Sequence, residues 1–332
     1  MKAGAAHLFY PREGDDYQSY GKRLLSGYPE MSDPSVSPVL SIVIVTWNTR
    51  DLTLALLRSL FRSAPESPFE VIVVDNASID GTADEIAQHF PRVVLVRNNA
   101  NAGFASGNNQ ALRISSGRYI LLLGSDTEMI DNSIQRMLEF LSTSEVGAVS
   151  CRLLNPDRTP QRSCRRFPTL WDGLMTYLSL DGLAPHYTMK GFDYYKTQDV
   201  EQPAATCLML KRKVIDEAGM FDERYAILYN DVDLCKRIRD RGWRIVYLAS
   251  AEVIHHGSRS TTQAPPGVRL EMYRNILLYY SAAIGAHARL VLLPVLLVRL
   301  LVVTGSPLAF RLLLPQSDSH RSLPEDSWSH AR

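Results

Sequence analysis

From Leu40 onward the chain alternates between two hydrophobic periods. "LSIVIVTWN" is a continuous apolar run rich in β-branched residues, the pattern of a strand buried on both faces. "DLTLALLRSLFRSA" follows, with Leu52, Leu56, Leu57, Leu60 and Phe61 at helical spacing. The alternation then repeats. "FEVIVVDNAS", "RVVLVRN" and "RYILLLGSD" read as strands, and "GTADEIAQHF", "FASGNNQALRIS" and "SIQRMLEFLST" as the helices that follow them. This order predicts an α/β fold with a mostly parallel, Rossmann-like central sheet flanked by helices. Over residues 151–203 Pro, Arg and Tyr occur without a clean period, so an irregular region is expected there. Order returns with "ATCLMLKRKVIDEAG", a strand running into a short helix. "NDVDLCKRIRD" then reads as a helix and "RIVYLASAEVI" as a strand.

In such sheets ligands bind outside the carboxyl ends of the strands. The residues just past the strands are Thr46-Trp47-Asn48, Asp75-Asn76-Ala77-Ser78, Asn98-Asn99 and Gly124-Ser125-Asp126, so every strand delivers polar groups to one edge. Asp75 and Asp126 directly follow apolar runs. A carboxylate beside a buried strand is costly unless it is paired, hydrogen-bonded or bound to metal. The first strand is not followed by GxGxxG, and neither GxxxxGK[ST] nor GxSxG occurs anywhere, which excludes the usual dinucleotide turn, P-loop and nucleophile elbow. "GFASG" opens a helix after the third strand, where neither phosphate-binding turn belongs. An edge rich in Asp and Asn suits a sugar nucleotide held through a hard divalent cation, Mg²⁺ or Mn²⁺.

Charge narrows the partners. The 332 residues include 36 basic and 35 acidic side chains, a formal net charge of +1, and no excess that would point to nucleic acid. Cys151, Cys164, Cys207 and Cys235 form no CxxC pair and no zinc spacing, the pattern of reduced thiols in a cytoplasmic compartment. Residues 1–38 are polar and read as an N-terminal extension without a signal-like apolar run. Residues 290–314 are strongly apolar but broken by Pro294, Arg299 and "TGSP", short of the roughly 18 apolar residues of a spanning helix. A central Arg adds roughly 2.5–3.5 kcal/mol to membrane insertion. An interfacial helical segment is therefore expected within residues 263–315, or alternatively a helix packing on the core or a partner. Residues 316–332 read as a disordered tail.

Within "YNDVDLCKRIRDRG", Asn230 is a good N-cap, and Asp233 suits the positive end of the helix dipole. Capping accounts for Asp233 better than for Asp231, since one acidic group suffices. His255 and His256 follow an apolar strand, where a histidine is ordinarily a surface residue. The asparagines at 98, 99, 101, 108 and 109 are either turn formers or recognition groups.

Five ordered blocks, "SIVIVTWN", "VIVVDNASIDGT", "RNNANAGFASGNNQAL", "YILLLGSDTEM" and "FDERYAILYNDVDLCKRIRDRGWRIVYLASAEVIHHGS", resemble family-2 inverting glycosyltransferases with the GT-A fold. Within that family they are most similar to the rhamnosyltransferase-like enzymes of bacterial polysaccharide biosynthesis. The resemblance spans about residues 40–260, and a GT-A domain is expected over 39–262. It implies that Thr46, Asn48, Asp75, Asn76 and Ser78 hold the base and ribose of a donor. Asn101, Gly103, Phe104 and Asn108 would line the nucleotide and sugar side. Asp126 would bind the metal, completed by His255 with His256 next in line, and Asp231 would be the general base, with Asp233 the lesser candidate. Two departures stand out. Gly124 occupies a position where relatives carry Asn or Asp, a contact that Ser125 or Glu128 would replace. Asn230 stands where relatives often carry Glu.

The implied activity is transfer of a deoxyhexose such as L-rhamnose from a nucleoside diphosphate sugar to a glycan or lipid-linked acceptor. It would take place at the cytoplasmic face of the plasma membrane, which the C-terminal segment would touch. Arg162, Arg165 and Arg166 would meet acceptor phosphates, or else form a solvated loop. A non-catalytic nucleotide-sugar-binding or glycan-binding protein with a decayed metal site is the alternative. A nucleotidyltransferase ranks below both, because "TWNTRD" lacks a glycine-rich loop.

Overall fold

A computed structural model describes residues 37–184, 187–225, 228–257 and 266–304. The expected N-terminal extension and C-terminal tail lie almost wholly outside these residues. The first half alternates as its periodicity dictates: β1 (Leu40–Thr46), α1 (Arg50–Arg62), β2 (Phe69–Asp75), α2 (Thr82–His89), β3 (Val94–Arg97), α3 (Gly103–Ile114), β4 (Tyr119–Gly124), a short β5 (Thr127–Met129) and α4 (Ser133–Thr143). The second half runs β6 (Ala148–Leu154), β7 (Cys164–Arg165), α5 (Leu170–Tyr177), β8 (Gln198–Val200), β9 (Gln202–Pro203), β10 (Cys207–Lys211), α6 (Arg212–Ala218), α7 (Asn230–Asp240), β11 (Ile245–His255), α8 (Pro266–Ala283) and α9 (His287–Thr304).

Among the described residues one sheet has the order β3-β2-β1-β4-β10-β6-β11-β5, with β8 pairing β11. β3, β2, β1 and β4 pair in parallel, and β6 pairs in parallel with β11. The expectation of a mostly parallel sheet needs correcting to a mixed one. β10 runs antiparallel between β4 and β6, and β5 and β8 run antiparallel to β11. The apolar run of β10 shows that the strand is buried but carries no information about its direction. β6 also escapes the periodicity, its apolar run broken by Ser150 and Arg152, as do β7, β8 and β9, because two- and three-residue strands have no period to read.

Strand alternation divides the core. Leu40, Ile42 and Ile44 face α1 and α4 through Leu56, Leu57, Leu60, Met137 and Leu141. Val43, Ile72 and Val74 face the other way, with Ala111 and Leu112 of α3, Val214 of α6 and Leu234 and Ile238 of α7. A third apolar cluster joins α8 and α9 to α5 and to the start of α7 through Leu292, Leu296, Leu300, Tyr279, Tyr280, Tyr225 and Val232. Over its described residues, 266–304, the C-terminal segment is thus a helical hairpin docked on the domain, and no described helix is long and apolar enough to cross a membrane. Arg299, which interrupts the run in the sequence, donates to the carbonyl of Tyr177 (2.8 Å) and to Ser179 Oγ (2.9 Å), closing the end of α5.

Candidate functional site

Six strands, β1, β2, β3, β4, β6 and β11, point their carboxyl ends at one edge, where β10 begins. This edge collects most of the polar residues that the sequence singles out. The loops after β1 and β2 are zipped together. Asn48, in the left-handed region with φ 51°, receives Ile79 N–H on Oδ1 (2.8 Å) and donates its own N–H to Ser78 Oγ (2.9 Å). Asp75 is only 3% exposed. Its Oδ2 accepts the Ser78 N–H (3.1 Å), whereas its buried Oδ1 has no partner among the described residues. Asn76 donates to the carbonyl of Gly103 (3.1 Å) and accepts from Asn98 (2.8 Å), fixing the entry to α3 against β2. Asn101 Oδ1 accepts the Gly103 N–H (2.9 Å), and Asn108 turns its amide onto the carbonyl of Phe104 (2.8 Å). Thr46 Oγ1 is buried in a hydroxyl network with Thr49 (2.9 Å) and Thr53 (2.8 Å). The amides of Asn76, Asn98 and Asn108 are therefore engaged within the protein and hold the loops of this edge, while Asp75 Oδ1 is left without a partner among the described residues.

Past β4, Asp126 and His255 come together from residues 129 positions apart in the chain. β11 is long enough to reach the edge, where His255 pairs with Thr127 of β5, and the backbone N–H of His256 donates to the carbonyl of Asp126 (2.9 Å). His255 Nε2 lies 3.3 Å from Asp126 Oδ2. Gln161 determines the state of the ring. Its Nε2 donates to the His255 carbonyl (2.7 Å) and to Asn155 Oδ1 (2.9 Å), so its Oε1 is the atom 2.8 Å from His255 Nδ1. That oxygen only accepts, so Nδ1 carries the proton and, in the neutral ring, Nε2 presents a lone pair to the carboxylate. A cation bound between these two atoms would be held by both of them. The donor set, one carboxylate and one imidazole with an amide behind it, fits a divalent metal only if phosphate and water would supply the remaining ligands. Among the described residues no cluster of three or more His, Cys, Asp or Glu could hold a metal.

The lesser metal candidates fall outside this pair. Glu128 faces His256 (3.6 Å), and Ser125 Oγ meets Thr49 Oγ1 (3.2 Å). Gly124 N–H donates to the carbonyl of Thr206 (2.8 Å). A Cβ at Gly124 would lie 3.1 Å from Asp126 Oδ1 and 3.3 Å from Thr206 Cγ2, so the glycine gives the Asp126 carboxylate room.

Asp231 is reached from the same point. Its carboxylate accepts the N–H of Val232 (2.8 Å), and the backbone N–H of Ala205, the neighbour of Thr206, lies near enough to favour its charged form. Contacts thus run from Asp126 through Gly124, Thr206 and Ala205 to Asp231, on one side of the β4–β10 junction. Burial pushes the Asp231 carboxyl above its ordinary pKa, against the opposing pull of those backbone N–H groups. Among the described residues Asp231 has no ion-pair partner. Asp233 has one. Arg237 bonds it at 2.8 Å and also donates to the carbonyls of Gly219 (3.1 Å) and Met220 (2.9 Å), tying α7 to the end of α6.

The helix start corrects the capping expectation. Tyr229, with φ 67°, is the N-cap residue, and Asn230 is the first helical residue, its Oδ1 accepting the Asp231 N–H (2.7 Å). Arg165 donates to the carbonyls of Arg162 (2.8 Å) and Cys164 (2.9 Å), bracing its own strand. The sequence reading missed Gln161, which no motif marks. It did flag Asn109, whose amide bonds both the N–H (3.0 Å) and the carbonyl (2.9 Å) of Phe221 on the approach to α7.

Comparison with known proteins places the chain in a family. Residues 41–218 match the family described as Glycosyl transferase family 2. N-acetylglucosaminyl-diphospho-decaprenol L-rhamnosyltransferase of Mycobacterium tuberculosis is 29% identical over 250 residues, which cover 69% of this chain and 80% of that protein. The O-antigen biosynthesis protein RfbC of Myxococcus xanthus is 30% identical over 247 residues, 70% of this chain but 18% of its own length. Among solved structures, the mannosyltransferase PcManGT from Pyrobaculum calidifontis in complex with GDP-Man and Mn²⁺ shares the fold. Its TM-score is 0.51 at 20% identity, covering 90% of this chain and 85% of that one.

Proposed function

Because the chain belongs to glycosyl transferase family 2, we propose that this glycosyltransferase moves a deoxyhexose, L-rhamnose the first candidate, from a nucleoside diphosphate sugar to a lipid-linked or growing glycan. The observation that carries the reading is the path of contacts that joins Asp126 and its His255 partner to the unpaired Asp231. Asp75 Oδ1, a buried acceptor without a partner among the described residues, suits an N–H donor on the base of the nucleotide. Rhamnose and a lipid-linked acceptor are supported by the name of the mycobacterial relative.

Asp126 and His255 would hold Mg²⁺ or Mn²⁺, which supplies charge neutralisation on the leaving diphosphate. Asp231 accepts the proton of the acceptor hydroxyl as that oxygen attacks the anomeric carbon. Burial raises its pKa, which makes it a better base than an ordinary surface carboxylate. A single displacement by a hydroxyl on the face opposite the diphosphate inverts the anomeric centre. Gln161 keeps the His255 ring in one tautomer, and Asp233 stays engaged by Arg237, so the roles of the two acids on α7 are separate. The acceptor would approach along α5 and the hairpin. There Trp171 and Leu183, and on α9 Leu290 (78% exposed), Val298 (62%) and Val302 (78%), offer apolar surface to a membrane at its cytoplasmic face.

The test is nucleotide release from a panel of UDP-, dTDP- and GDP-sugars with Mg²⁺ or Mn²⁺ and a polyprenyl-diphosphate-linked sugar as acceptor. Stimulation by one donor, lost in Asp231→Asn, is the expected result. Equal turnover in wild type and Asp231→Asn would refute the base assignment. Tight donor binding without turnover would favour a non-catalytic binding protein.

A further inference from the structure

We propose that the C-terminal hairpin of α8 and α9 is a brace for the catalytic carboxylate, acting through Tyr229 as a positioning residue. The inference rests on Asp231 as the base and assigns a purpose to residues 266–304, which lie beyond the family match ending at residue 218. Tyr229 immediately precedes α7 with φ 67° and ψ 0°, a left-handed conformation that a bulky side chain adopts only where its surroundings over-determine it. Asp231 lies two residues further on, so the direction in which the chain leaves Tyr229 sets where its carboxylate points.

The surroundings that fix Tyr229 come from the hairpin and α5. The ring of Tyr229 lies 4.8 Å from that of Tyr279 and 6.1 Å from that of Tyr280, both on α8. Its hydroxyl is 2.9 Å from that of Tyr177 at the end of α5, and its carbonyl accepts the Asp233 N–H (2.8 Å). Tyr280 in turn needs Gly173, since a Cβ there would come within 2.6 Å of the tyrosine ring. α9 closes the set from the other side, because Arg299 donates to the carbonyl of Tyr177 itself (2.8 Å). Each contact is made by an element outside the nucleotide-binding half, so the brace acts on the base and leaves donor binding alone.

Tyr229→Gly separates the brace from the backbone conformation, because glycine adopts the same φ readily but brings no ring. The expected result is a fall in kcat of about 10²-fold, the scale of a misplaced catalytic group, with the Kd for UDP or dTDP unchanged by calorimetry. Tyr229→Phe, which keeps the ring, restores most of the turnover with whichever nucleotide sugar the donor panel selects. Gly173→Ala, which displaces Tyr280, lowers kcat in the same selective way and serves if Tyr229→Gly does not fold. Wild-type kcat in Tyr229→Gly overturns the brace, as does wild-type kcat in Gly173→Ala where Tyr229→Gly does not fold, and so does a parallel loss of nucleotide binding. Asp231→Asn, measured alongside, reports on the base separately. Wild-type turnover there overturns the base reading and the brace together, whereas loss there with active Tyr229→Gly overturns the brace alone.

Discussion

Gln161→Leu tests the metal side of the site without touching either proposed ligand. The substitution removes the acceptor on His255 Nδ1 (2.8 Å) and the donors to the His255 carbonyl (2.7 Å) and to Asn155 (2.9 Å). The imidazole is then free to rotate and to place its proton on Nε2, the atom that faces Asp126. Losing such an outer partner lowers metal affinity by about 10–100-fold, equivalent to about 1.4–2.8 kcal/mol. Leaving the His255 carbonyl without its donor removes roughly 1–3 kcal/mol of stability as well. At about 2–4 °C per kcal/mol for a domain of this size, the melting temperature should fall by several degrees while the protein stays folded. The assay is an Mn²⁺ titration of nucleotide release, with Mn²⁺ binding measured by calorimetry in the presence of UDP. Gln161→Glu restores an acceptor to Nδ1 and should recover part of the affinity. A folded Gln161→Leu protein with the wild-type Mn²⁺ curve would refute the argument.

Three single side chains carry the further outcomes. Burial raises the Asp231 pKa, so the acid limb of the pH–rate profile should lie above the ordinary carboxylate range. Asp231→Asn should lower kcat by about 10²–10⁴-fold. The same shift has a stability sign. Folding favours the protonated acid, a contribution present in full below the unfolded pKa and lost as pH rises through the folded one. Asp231→Asn should therefore melt above wild type at pH 7, and the gap should close in acid. Asp75→Asn should weaken UDP or dTDP binding by roughly 1.5–3 kcal/mol, because an acceptor on the buried Oδ1 side becomes a possible donor, and unchanged affinity by calorimetry counts against the base contact. Arg237→Met strands Asp233 and the carbonyls that the guanidinium ties together, so thermal melting should report a loss of about 1.5–3 kcal/mol.

Asp126 and Asp231 show where local pattern is informative and where it stops. Asp126 stands out in the sequence because it follows the apolar run of β4, and a carboxylate there needs a partner. Asp231 stands out only as an acid in excess of what capping requires. That these two groups are joined through Gly124, Thr206 and Ala205 depends on β10 entering the sheet antiparallel beside β4, a pairing between segments more than 80 residues apart in the chain. Gln161 escaped notice because its function is to hold another side chain, which imposes no spacing along the chain. Arg299 was read as a break in an apolar run, whereas in the fold it closes a helix of another segment.

The sequence by itself determined the alternation of strands and helices in the first half, the two-faced core and the polar edge at the strand ends. Each of these depends on side-chain periodicity over neighbouring residues, and periodicity is local. Tertiary structure alone decided the direction of β10, the tautomer of His255, the pairing of Asp233 with Arg237 and the seating of the C-terminal hairpin against Tyr229. All four are contacts between residues distant in the chain or settled by hydrogen-bond geometry, and their energy exists only once the elements have packed.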